Sequence, residues 1–201
     1  MIRIDEFIKN FTSAITYNNN LFPWEITKNL SGILFKHIEN LDSNFVVTNG
    51  IAIHKTAVIE QGAVFKAPVI ICENCYIGAN AYLRNGVYLG KNVSVGPGCE
   101  IKTSIVFGDT KIAHFNFIGD SIIGSNCNFE AGSVAANYHN DKTDKTISIL
   151  INSEVIKTGV EKFGSLIGDN CKIGANAVLS PGTILSPGTI VKRLELVEQI
   201  K

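Results

Sequence analysis

From residue 53 to residue 107 an aliphatic or aromatic residue returns at every sixth position: Ile53, Ile59, Phe65, Ile71, Ile77, Leu83, Leu89, Val95, Ile101, Phe107. The period then drops to five from Phe107 to Ile112, recovers to six at Ile118, drops to five again at Ile123 and recovers at Phe129. After an interruption it resumes as Ile167, Ile173, Leu179, Leu185 and Val191. Three residues beyond the apolar one stands Asn or Gly in 12 of the 16 six-residue units. Asn and Gly tolerate a positive φ, so each unit is read as a short strand ending in a sharp corner. The next position is small or β-branched, as in Ala57, Ala63, Cys75, Ala81, Val87 and Ala177. Such a unit cannot bury its own apolar side, but stacked units can. The pattern predicts an all-β solenoid with three units per coil and about six coils across residues 51–191.

The flanks follow other rhythms. Residues 1–50 are read as a helical N-terminal cap over the first coil. Within it, Ile26, Leu30, Ile33, Leu34, Ile38 and Leu41 fall at helical spacing, with Pro23 suited to a first turn. Phe7, Ile8, Phe11 and Ile15 mark a weaker second helix. Packing is the expected role of Trp24. Residues 192–201 read as a short C-terminal helix. Residues 134–165 form an insertion long enough to suggest a flap or lid, with a hairpin at "ISILINSEVI".

Composition narrows the function. Lys plus Arg equals Asp plus Glu at 18 each, which gives no support to a nucleic-acid partner or a polybasic membrane contact. No apolar run approaches the roughly 20 residues that cross a bilayer, and "MIRIDEFIKN" carries charges where a signal peptide needs an apolar stretch. A cytoplasmic protein without a membrane partner is expected. Four of the five cysteines (Cys75, Cys99, Cys127, Cys171) occupy the small slot of the repeat, so they are read as buried hydrophobes. "CENC" is then a phase of the repeat and not a redox or metal motif.

His114 lies inside the stretch where the period slips. A lone histidine in a repeat is usually surface or satisfied core, but a broken period around it points to a reacting group. Arg84 and Lys102 are 18 residues apart, one coil, so they should stack on one face as an anion site.

The units follow [Ile/Leu/Val]-Gly-x-x-small-x, and the chain resembles the hexapeptide-repeat transferases, whose coil is a left-handed parallel β-helix. "AHFNFIGDSIIGSNCNFEAGSVAANY" and "TGVEKFGSLIGDNCKIGANA" resemble the acetyltransferase domain of the bifunctional N-acetylglucosamine-1-phosphate uridylyltransferases, the archaeal members above all. The resemblance implies catalytic His114 and Asn137, with His114 as general base. It implies acceptor-binding Arg84, Lys102, Phe117, Asn128 and Tyr138, and Ala175 lining the acetyl-CoA site. It implies a homotrimer acting on an amino-sugar phosphate or sugar nucleotide, with no metal. Phe117 stands where that family has a Tyr, the uridylyltransferase domain has no counterpart in residues 1–50, and the spacing from Ala175 to "SPGTIVKR" is one hexapeptide shorter than in the family. An imidazole, ordinarily titrating near 6.5, can take the proton of an attacking amine near neutrality, and no step needs a cysteine nucleophile. Alternatives on the same coil are an acyltransferase that draws on acyl carrier protein, as in lipid A synthesis, and a non-catalytic scaffold. A zinc hydrolyase would need a close His pair, which His37, His54, His114 and His139 do not provide.

Overall fold

The computed structural model describes residues 2–9, 11 and 21–200. The repeat folds as expected, into a β-solenoid of the left-handed hexapeptide type. Its cross-section is a triangular prism. We call the faces first, second and third in the order the chain reaches them, at residues 51, 58 and 64. The second face is a seven-stranded parallel sheet running from Val58–Ile59 to Ile190–Val191. The strands Tyr82–Leu89 and Glu100–Val106 bend around the corner between the third and first faces and join these into one 13-stranded sheet.

The inner core consists of the six-beat residues and the small slots: Ile71, Cys75, Ile77, Ala81, Leu83 and their successors through Val191. All twelve Asn and Gly corners noted in the repeat have positive φ, from Gly62 to Gly188. The four slot thiols lie inside, and each donates to a carbonyl of the next coil, as Cys75 does to Gly90 at 3.0 Å and Cys99 to Ala113 at 2.8 Å. Burial pushes the Cys72 and Cys75 thiols up to about 11 and about 12, so "CENC" is protonated and unsuited to redox chemistry.

The register corrects the position of the slip. The second face steps by 18 residues from Tyr76 to Ser94, by 17 to Lys111 and again to Asn128, by 44 to Lys172, then by 18 to Ile190. Both missing residues are lost at one corner, between the third and first faces. There Lys102–Thr103–Ser104 and Gly119–Asp120–Ser121 replace the longer Arg84–Asn85–Gly86–Val87. Val106, not Phe107, is therefore the inward residue, and Phe107 packs outside against Phe11 and Tyr88. In the shortened corners buried hydroxyls complete the ladder: Ser104 accepts from the Ser121 amide and Ser121 from the Ser165 amide, each at 3.0 Å. The corner that carries His114 has its full length.

A second core covers the first face. Its outward residues Ile70, Tyr88, Ile105, Ile122, Leu166 and Ile184 lie under the N-terminal segment, helix α1 (Pro23–Ile38) and the insertion. α1 forms where predicted, with Pro23 in its first turn and the Glu25 carboxylate accepting the Phe22 amide at 2.8 Å. Trp24 is buried, stacked on Phe22 and edge-on to Phe163, which is the packing role. α1 lies along the side of the coil rather than over its end, because the first face alone presents outward apolar residues in every coil. The open edge of the first coil is instead closed by Phe45–Thr48, antiparallel to Ile51–His54. The weaker helix expected from Phe7 to Ile15 falls mostly outside the described residues; its described start is a single 3₁₀ turn, Ile4–Glu6. The insertion contains the expected hairpin, Ser148–Ile151 with Glu154–Lys157.

The C-terminal helix does not form. Leu194 takes the left-handed corner, and Leu196–Val197 pairs in parallel with Val178–Leu179. Val197 continues the inward beat, and the Gln199 side chain bonds both backbone groups of Ile184 at 2.8 Å. A helix there would leave the edge of the preceding strand unpaired, so the repeat wins over helix propensity. Among the described residues no helix is long and apolar enough to cross a membrane.

Candidate functional site

Arg84 and Lys102 stack in register as expected, above Lys66 and below Gly119. Each is already paired. Arg84 meets Glu100 through Nε and Nη2 at 2.8 and 2.7 Å, and Lys102 Nζ meets Asp120 at 2.8 Å. The second pair is nearly buried, with side chains 12% and 9% exposed. Asn137 donates to the same Asp120 oxygen. A three-residue cluster, Lys102–Asp120–Asn137, thus spans successive coils at the shortened corner. Asp120 was not singled out from the sequence. Its signal was an acid inside a five-residue step, two residues past the inward Ile118.

Gly119 makes this cluster possible. A Cβ there would lie 2.8 Å from Asn137 Cγ and 2.9 Å from Phe117 Cζ. Phe117 and Asn137 therefore lean over one glycine, on the same face as Lys102, and Phe117 supplies an apolar surface without a hydroxyl. Tyr138 follows Asn137 and is 39% exposed, with Lys145 of the insertion 5.3 Å above its ring.

His114 stands on the corner between the second and third faces. It is exposed, and among the described residues no side chain hydrogen-bonds its ring. Its carbonyl accepts the Gly132 amide, and the Ala131 carbonyl accepts that of Asn176. His114, Ala131 and Ala175 therefore follow one another up this corner, about 4.8 Å per coil. The Ala175 amide donates to Glu130 at 2.9 Å, and Glu130 also takes a bidentate bond from Arg193 at 2.7 Å. Asn128 departs from the expected grouping. It lies on the second face between Lys111 and Lys172 and borders a cavity of about 500 Å³ with Lys172, Ile190 and Lys192. Among the described residues no three His, Cys, Asp or Glu side chains gather as a metal site.

Two outcomes follow from these pairs. Lys102→Ala strands Asp120 with only Asn137, so a stability loss of roughly 3 kcal/mol is expected in urea denaturation, with part of it recovered in Lys102→Ala/Asp120→Asn. An unchanged midpoint would make Lys102 a free surface cation. For Glu130, Arg193 is the main influence, and the carboxyl is held down at about 2. A depressed carboxylate contributes stability above its unfolded value of about 4.5, and that contribution is lost as pH falls toward 2. The thermal midpoint should therefore drop across that window, and more shallowly in Glu130→Gln. Equal slopes would show that the clamp adds nothing.

Family profiles match three stretches. The bacterial transferase hexapeptide (six repeats) profile covers residues 50–85, the GMPPB C-terminal domain 77–156, and the hexapeptide repeat of succinyl-transferase 166–191. The chain is a hexapeptide-repeat protein. Its curated relatives include three that share the name bifunctional protein GlmU. That of Methanococcus vannielii is 35% identical over 156 residues, which is 76% of this chain and 37% of the relative. That of Methanocaldococcus jannaschii is 34% identical over 176 residues, covering 85% and 42%, and that of Clostridium kluyveri 30% over 144 residues, covering 72% and 29%. The hexapeptide-repeat protein thus spans less than half the length of these relatives, and the resemblance read from its motifs is borne out. A hexapeptide transferase family protein of Anaplasma phagocytophilum aligns over 74% of both chains at 21% identity, with a TM-score of 0.42.

Proposed function

We propose that this hexapeptide-repeat protein is an acetyl-CoA-dependent N-acetyltransferase acting on an amino-sugar phosphate or sugar nucleotide, with His114 as general base. The observation that carries the reading is the adjacency of two strips. The corner bearing His114 and Ala175 borders the face bearing Arg84, Lys102, Phe117 and Asn137. An extended thioester fits along the corner, where Ala131 and Ala175 leave the backbone uncovered. Lys172 and Lys192, which make no ion pair among the described residues, suit the phosphates of the donor near its upper end, and Asn128 belongs to that side of the site. The acceptor fits the adjoining face. His114 takes the ammonium-forming proton as the amine attacks the thioester carbonyl, so the amine enters neutral and the thiolate leaves. The coil supplies His114 with no partner that orients its ring, and a second subunit against this corner would supply one and close the site.

The corner suits such packing. Phe115 is 72% exposed and Leu194 79%, with Leu196 exposed on the third face beside Leu194 and Val64 exposed three coils below Phe117. Phe115 also holds φ 56°, between the glycine corners Gly98 and Gly132, an unfavourable conformation for an aromatic residue. Phe115→Gly should stabilise the isolated subunit by about 1 kcal/mol and weaken a homotrimer. Sedimentation checks this, and a wild-type monomer at micromolar concentration would count against the shared site.

The test of activity is acetylation of a panel of amino-sugar phosphates and nucleotides, with acetyl-CoA and with acyl carrier protein as donors. Transfer from acyl carrier protein alone would shift the donor. Failure to bind coenzyme A would favour a scaffold.

A further inference from the structure

The strongest unassigned feature is a cavity of about 600 Å³ between α1, the shortened corner and residues 159–162 of the insertion. α1 contributes Lys28 and Ser31, the full-length corner below contributes Asn85, the two shortened corners Thr103 and Asp120, and the insertion Glu161 and Lys162. The missing residues of the corner account for the space. In the preceding full-length coil Gly86 (φ +94°) carries α1, and a Cβ there would lie 3.2 Å from Ser31 Oγ. The next two coils lack that residue, so α1 overhangs a recess. Thr103, a β-branched residue, holds φ 48° in that recess, and Asp120 holds φ 45°. Backbone strain of this kind collects at binding sites.

The charges differ from those of the stacked pair. Lys102 is neutralised by Asp120, and Arg84 by Glu100. Lys28 and Lys162 make no ion pair among the described residues, and both border the cavity. Around them the lining offers the Ser31 and Thr103 hydroxyls, the Asn85 amide and the Glu161 carboxylate, with Val160 as its one aliphatic side chain. Two cations beside several hydrogen-bonding groups match a phosphorylated polyol, whose ring carbons would meet the methylene stems and Val160.

We propose that this cavity binds the phosphoryl end of the acceptor, with Lys28 and Lys162 on the phosphoryl oxygens and the hydroxyl-bearing part toward Thr103 and Asp120. The proposal rests on the acceptor class argued above. It moves anion recognition from Arg84 and Lys102 to α1 and the insertion, and makes those two segments specificity elements rather than a cover.

Calorimetric titration of the full chain, without acyl donor, tests it. The probes are glucosamine, glucosamine 1-phosphate and a nucleoside-diphosphate-linked amino sugar. Tighter binding of either phosphorylated probe than of glucosamine is expected, and the tighter of the two identifies the source of the phosphoryl group. Lys28→Ala and Lys162→Ala should each weaken that binding about tenfold, and together about a hundredfold. Lys66→Ala, which removes the stacked cation outside the cavity, should change nothing. Both lysines are exposed, so thermal midpoints should hold. Wild-type affinity in the double variant, or equal binding of glucosamine and its phosphate, overturns the proposal. Lysine-dependent binding without acetylation of any amino sugar would leave the cavity assigned and remove the acetyltransferase reading. Acetylation with an unchanged KM in the double variant would do the reverse.

Discussion

Replacing His114 by alanine or asparagine should lower the turnover of acetyl transfer by about 10²- to 10⁴-fold, the usual contribution of a general base. The coil should be unaffected. The ring is exposed and no described side chain bonds to it, so its removal leaves no cavity and no orphaned polar group. What the corner contributes to folding is backbone: the His114 carbonyl accepts Gly132, and any residue keeps that bond. Coenzyme A affinity should likewise hold, because the proposed donor path runs along Ala131 and Ala175 and uses no imidazole atom. The measurement is kcat on a competent acceptor, beside the thermal midpoint and coenzyme A binding. A variant keeping more than about a third of wild-type turnover would remove His114 from the mechanism. A fall in the thermal midpoint equal to the loss of activity would make it a structural residue.

The second large effect is in the inner core. Phe129→Ala should destabilise by about 3–5 kcal/mol in urea denaturation. Phe129 is 1% exposed and sits on the second face between Ile112 below and Ile173 above. Aliphatic residues hold the inward position in the other six coils of that face, so this coil contains an aromatic-sized volume that its neighbours do not. A solenoid closes such a void poorly. The spacing of coils is set by backbone hydrogen bonds at about 4.8 Å, and the strands above and below cannot move inward without breaking them. Phe129→Leu should recover most of the loss, since it restores volume without new polarity. A cost under about 1 kcal/mol for the alanine variant would show that the coil collapses locally, contrary to this account.

These two residues also show why the sequence was readable to different depths. Phe129 was legible because the inward position is a local property of each unit. The same short strand and the same left-handed corner recur, and Asn80, Asn126 and Asn176 each mark one. His114 was noticed through a slip in the beat, but the slip belongs elsewhere. An apolar residue at both 106 and 107 allowed the inward beat to be placed one residue late. Only pairing against the coil below shows that Val106 stacks on Leu89. The covered first face also leaves a trace in the sequence. In Val69–Ile71 and in residues 87–89 consecutive residues are apolar, as a strand buried on both sides requires, while second-face strands such as Ser94–Val95, Lys111–Ile112 and Lys172–Ile173 set an outward polar residue beside an inward apolar one.

The sequence alone determined the repeat, its inward residues, the positive-φ corners, the place of the cysteines, α1 and the hairpin of the insertion. All of these depend on contacts within a few residues or on a period that stacking merely repeats. The tertiary structure decided what lies between coils and between elements. Residues 17, 18 or 44 apart become neighbours through register, and a single lost residue at residues 102–104 redirects everything beyond it. It turned two expected free cations into the pairs Arg84–Glu100 and Lys102–Asp120, and brought Asn137 to the same carboxylate. It moved Asn128 to another face, and continued the coil through Val197 where the local pattern suggested a helix. Hydrogen bonds and ion pairs act over a few ångströms, so charge pairing across coils becomes visible only when the stacking is known.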